Sequence, residues 1–132
     1  MKQILAFALL FALCSAHAAD STEPDISGSS DKGLQIEIYS QLSPLVINQI
    51  HSWHIRVMDR NGEKQILENL DVFGGMPEHD HGLPTQPVVT THLDNGDYLL
   101  EGVRFHMQGL WQLQIELQLN GVPDTAIIDF TL

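Results

Sequence analysis

WQLQIELQL, residues 111–119, alternates apolar and polar side chains without a fault. A period of two belongs to a β-strand, which sends Trp111, Leu113, Ile115 and Leu117 to one face and Gln112, Gln114, Glu116 and Gln118 to the other. One face of this strand is dry and the other wet. The same alternation sets Leu34, Ile36 and Ile38 against Gln35 and Glu37, and Trp53, Ile55 and Val57 against His54 and Arg56. Further strands are expected over 64–73, 87–93, 98–105 and 125–132. Asn61-Gly62, Asp94-Asn95-Gly96-Asp97 and Asn120-Gly121 separate several of these runs, and such residues tolerate the positive φ of tight turns. Helical spacing is absent. The pattern predicts an all-β fold, a single immunoglobulin-like antiparallel β-sandwich of about seven strands without the cysteine pair of antibody domains.

The 132-residue chain opens with Lys2, the apolar run 4–13, and Ala16-His17-Ala18. A basic start, a short apolar stretch and small residues at a cleavage site read as a signal peptide over 1–19. The apolar run is shorter than the roughly 20 residues a membrane-spanning helix needs, so no stable membrane anchor is expected. Leu13 before Cys14 disfavours lipid attachment. Residues 20–33, rich in Asp, Ser, Pro and Gly with Ile26 the one large apolar side chain, read as a flexible linker. The folded domain is then 34–132, enough for one core. Without the leader the chain has no cysteine, so any metal must be held by His, Met or carboxylate. A net charge of −11 for the whole chain repels nucleic acid and anionic lipid. Cations and basic partners fit it better, and export points to the periplasm.

Against the alternating frame, 74–86 is irregular. GGMPEHDHGLPTQ holds three glycines and two prolines and reads as a long loop, a common place for function in a small domain. His79 and His81 are two apart, so extended backbone would send both imidazoles to one side. Met76 adds a thioether, and Glu78 and Asp80 are candidate acceptors for the second ring N–H of each histidine. A second cluster, Phe105-His106-Met107-Gln108-Gly109, follows the strand expected over 98–105. His106 and Met107 would face opposite ways on a regular strand, unless Gly109 permits a bulge. Histidine with methionine suits copper, because thioether prefers Cu(I) and imidazole takes either oxidation state.

Nucleophile motifs, phosphate-binding glycine loops and cofactor fingerprints are all missing, so no enzyme is expected. A structural account of the same segments competes with metal binding. On that account Met76 and Met107 are core filler, because methionine packs irregular gaps easily, and His79 and His81 hydrogen-bond backbone groups that the loop leaves unpaired. The protein would then be a metal-free interaction or scaffold domain, with Trp53 and Trp111 as core anchors and a partner docked on a strand edge or the glutamine-rich face.

The run 74–85, then Asn95-Gly96-Asp97-Tyr98, then 101–111 through Phe105, Met107, Gly109 and Trp111, resembles the YtkA-like domain family, which is related to the FixH-like proteins. Its members pair Met-Pro-x-His-x-His-Gly with Phe-x-Met-x-Gly-x-Trp. The resemblance implies a small exported or membrane-tethered β-sandwich, with some members similar to components of copper supply to respiratory oxidases. It also implies roles for Met76, His79, His81 and Met107, whereas His106 rests on ligand chemistry alone. The expectation is an exported carrier that binds a copper ion reversibly through His79, His81 and Met76, with His106 or Met107 to complete the set, and hands it to a periplasmic protein.

Overall fold

The computed structural model describes residues 23–132. The expected leader and the first residues of the expected linker lie outside the described residues. Nine strands follow in order: β1 (Ile26–Ser29), β2 (Gln35–Ser40), β3 (His51–Met58), β4 (Asn69–Met76), β5 (His81–Gly82), β6 (Val88–His92), β7 (Tyr98–Val103), β8 (Leu110–Leu119) and β9 (Val122–Thr131). They form two antiparallel sheets, ordered β1-β2-β3-β7-β6 and β5-β4-β8-β9. The fold is the expected all-β sandwich, with nine strands in place of seven.

Both additional strands fall where the sequence breaks the alternating pattern. β1 lies in the stretch read as linker, so that reading is corrected for 26–29. Ile26 is buried, and Ile26 to Ser29 pairs with Ile38 to Gln35 of β2. Gly28 faces across to β9 so closely that a Cβ there would meet Ile128 at 2.6 Å, which is how a strand with one large apolar residue can lie tight on the opposite sheet. The Asp31 N–H also donates to the Thr125 carbonyl at 2.8 Å, bracing β1 against β9. β5 sits inside the expected long loop and pairs with the end of β4, Gly75 opposite Gly82 and Met76 opposite His81.

The alternation in β8 works as expected: Trp111, Leu113, Ile115 and Leu117 are buried, and Gln114 and Glu116 are exposed. They meet Ile36, Ile38, Trp53, Ile55, Val57 and Leu100 from the other sheet in one core. At one end Phe105 joins the two layers, its ring 5.8 Å from that of Trp53 and 4.9 Å, edge on, from that of Trp111.

Asp97, 2% exposed, carries a charge at the other sheet's margin. Arg56 donates to it through Nε at 3.0 Å and Nη2 at 3.2 Å, and Lys64 through Nζ at 2.8 Å. Burial pushes the Asp97 carboxyl up, but the hydrogen bonds from Arg56 and Lys64 outweigh it and hold the group below the usual carboxylate range. The Arg56 guanidinium lies 4.8 Å over the Tyr39 ring, whose hydroxyl is pushed up to about 12 by burial and by its hydrogen bond to Glu37. Because the folded pKa of Asp97 is depressed, its contribution to stability is complete above the unfolded value and is lost as pH falls through the folded one. Asp97→Asn is expected to lower stability by about 2–3 kcal/mol at neutral pH, through two cations left short of a partner. The gap to the parent protein should close in strongly acidic solution, as read from urea midpoints at both pH values.

Candidate functional site

The β4–β5 hairpin builds one side of the site. The chain turns over residues 77–80, where the His79 N–H donates to the Met76 carbonyl at 3.0 Å and Asp80 takes a left-handed φ of 51°. The backbone between the two histidines is therefore a turn and not the extended run expected. Their rings nonetheless stack, with centroids 5.7 Å apart and planes 18° from parallel. His81 stands opposite Met76 in the strand pair, and directly opposed residues of an antiparallel pair share a face. Met76 is 2% exposed, so this face points into the core.

Residues 104–109 build the other side. β7 ends at Val103, two residues short of expectation, because the chain leaves the sheet to drive Phe105 into the core; the Asn48 N–H binds the Phe105 carbonyl at 2.7 Å. Off the strand, the alternation that would have separated His106 from Met107 no longer applies. The Trp111 Nε1–H donates to the Met107 carbonyl at 3.0 Å and ties this segment to β8. Gly109 has φ 129°, and its N–H and carbonyl both pair with Leu132, at 3.0 Å each. A Cβ on Gly109 would come within 3.1 Å of Met76 Cε, so the thioether end of Met76 lies directly beneath this segment.

The two sides meet at His81 and His106, whose centroids are 4.7 Å apart. Behind them is Trp111, at 6.5 Å from His81 and 5.6 Å from His106, edge on to both. His79, His81, His106 and Trp111 thus form a series running from the exposed turn to the core. Nδ1 of His81 and Nδ1 of His106 are buried and make no hydrogen bond within the protein. Buried polar atoms without a partner are costly, so these two nitrogens on neighbouring imidazoles make the pair a candidate place for a ligand.

Of the expected site residues, His79, His81, His106 and Met76 come together. Met107 is half-buried and packs against the core, with its carbonyl taken by Trp111. No hydrogen bond joins Glu78 or Asp80 to the histidine rings; both carboxylates are exposed on the turn. Among the described residues, no group of three or more His, Cys, Asp or Glu side chains is arranged to hold a metal ion.

The sequence model of the YtkA-like family matches residues 29–116, which include all of these side chains. The chain belongs to the YtkA-like family. In this YtkA-like chain the match begins at the end of β1, runs through both histidine segments and ends within β8. No curated protein matches the sequence. A DUF4426 family protein from Pseudomonas aeruginosa PAO1 has a similar crystal structure, with a TM-score of 0.54 at 12% identity over 75% of this chain and 87% of that one. At that identity the likeness concerns the fold.

His51, at the start of β3, is half-buried and pairs with Val103 of β7. It lies 6.0 Å from both Trp53 and Phe105, with Nε2 buried. Nothing in the spacing of residues 51–57 signals that placement, because it arises where β3 and the segment after β7 meet.

Gly109→Ala tests the junction. The side chain would force a left-handed φ on alanine and press on Met76, so a loss of about 1–3 kcal/mol in stability is expected. Methyl resonances of Met76 and ring resonances of His106 should shift together, whereas those of His92, on a distant strand, should not.

Proposed function

We propose that this protein binds copper reversibly at the neighbouring His81 and His106 with sulfur from Met76, that His79 joins them as an outer ligand only when its turn moves inward, and that the ion is handed to a partner after export. The observation that supports this reading is the pair of neighbouring imidazoles with buried, unbonded Nδ1 atoms, delivered by segments 25 residues apart in number, His81 and His106. An ion that takes nitrogen and thioether ligands suits such a pair, and Cu(I) is the soft candidate. Carboxylates contribute nothing to the cluster, which disfavours calcium or magnesium, since both demand oxygen.

Handover follows from the position of the site. His79 stands on an exposed turn while His81 and His106 sit deeper, so an ion can be approached from the turn side. Losing His79 would free one ligand position without dismantling the inner pair. Exchange with another protein's ligands can proceed through such an opening, whereas a closed four-ligand cage would block it.

The test is a Cu(I) titration of the purified protein against a competing chromophoric chelator. One equivalent is expected to bind. His81→Ala and His106→Ala should each weaken binding by at least the roughly 10- to 100-fold that loss of even an outer-sphere partner costs, with His79→Ala having a smaller effect. His54→Ala, on β3 and outside the cluster, should leave affinity unchanged. If copper is ignored and the double variant His79→Ala plus His81→Ala simply melts at a much lower temperature, the loop is structural and the protein is a metal-free interaction domain.

A further inference from the structure

The outer face of the β5-β4-β8-β9 sheet has a charge pattern that its own fold does not explain. Asp71 on β4 stands directly opposite Glu116 on β8. Like charges so placed repel one another, and a protein usually puts a cation between them. Here the neighbours are amides: Asn69 Nδ2 donates to Asp71 and Gln114 Nε2 to Glu116, each at 2.7 Å. Gln112 Nε2 likewise donates to Asp129 at 2.9 Å. The ion pairs among the described residues all involve Arg56 or Asp97, on the side of the other sheet. None of the four strands of this sheet carries a lysine or an arginine.

Beside the two carboxylates runs a cross-strand row of Phe73, Gln114 and Ile127. Phe73 is 53% exposed and Ile127 51%, although both lie in mid-strand where a polar residue would be at no disadvantage. Next to Phe73 the sheet is bare, because Gly75 and Gly82 face outward opposite each other. The result is a depression of about 440 Å³ bounded by Phe73, Gly75, Gly82, Gln112 and Gln114. Met76 and His81 also line it, so it adjoins the histidine site.

We infer that this face docks a protein partner that presents a lysine or arginine flanked by an apolar side chain. The cation sits between Asp71 and Glu116, and the apolar side chain enters the depression against Phe73. Charge complementarity selects this occupant. A second copy of the chain would bring the same acidic face or a net charge of −11. A hard metal ion would find two carboxylates where calcium needs six to eight oxygen ligands. The inference does not depend on copper.

The probe is a short peptide of alternating lysine and leucine, added to the isotope-labelled protein and followed by amide chemical shifts. Shifts are expected along residues 71–75 and 112–116. Binding should weaken sharply at about 1 M salt, where charges are screened beyond about 3 Å. Asp71→Asn plus Glu116→Gln should lower affinity about tenfold or more, and Phe73→Ser should do the same. The double variant should melt at the same or a higher temperature, since it removes a repulsion, so a loss of binding cannot be attributed to unfolding. Unchanged affinity in these variants, shifts that map to the other sheet, or saturable shifts of Asp71 and Glu116 with calcium alone would each overturn the inference.

Discussion

The packing of Phe105 between two tryptophans governs how the sheets close and where the histidines fall. Its ring meets Trp111 and Phe130 edge on, at 4.9 and 5.5 Å, and lies 5.8 Å from Trp53 of the opposing sheet. Aromatic pairs in such offset or edge-to-face geometry contribute about 0.5–1.5 kcal/mol each beyond the area they bury. Phe105 is not in a strand, so this gain is what pulls the chain out of β7 and into the gap between layers. Once Phe105 is seated, the next residue is set: His106 emerges against the edge of Trp111 and beside His81. The histidine cluster is a by-product of core packing in the useful sense that the core holds its imidazoles rigid.

The same arrangement explains why the site has a firm side and a soft one. His106 is held by Phe105 before it, by the Trp111–Met107 hydrogen bond after it, and by the pairing of Gly109 with Leu132. His81 is held by pairing with Met76. His79 has only the turn and its stack on His81. Local openings cost least where buried contacts are fewest, so the turn carrying His79 can move while the inner pair stays in place. The reversible binding proposed above would use that combination of a fixed inner pair and a yielding outer histidine.

The sandwich was legible because burial on one face writes a period of two into β2, β3 and β8, and tight turns write Asn-Gly between strands. β1 was not, since four residues with one large apolar side chain carry no period; its stability comes from pairing with β2 and from Gly28 against Ile128, both of which are tertiary facts. The end of β4 was hidden by Gly74 and Gly75, which read as loop. In the fold each glycine answers a close approach: a Cβ on Gly74 would strike Leu83 at 2.9 Å, and one on Gly75 would lie 3.2 Å from the His81 carbonyl. His79, His81 and Met76 could be picked out by residue type and spacing. That His106 would join them could not be derived from strand alternation, because the alternation fails at the residue before it.

Charge is distributed between the two sheets in opposite ways, and the contrast bears on function. On the larger sheet the buried carboxylate of Asp97 is matched by Arg56 and Lys64, which settles its cost within the fold. On the smaller sheet Asp71 and Glu116 oppose each other across a strand pair with only amides for company. Folding gains nothing from that repulsion, and a single lysine nearby would relieve it. The chain has few cations, six against 17 acidic residues, yet among the described residues two of them go to one aspartate and none stands on the four strands of this sheet. A face left repulsive toward itself and apolar at its centre is one whose electrostatic complement lies on another molecule. Its position behind the β4–β5 hairpin would put such a molecule within a strand's thickness of His81.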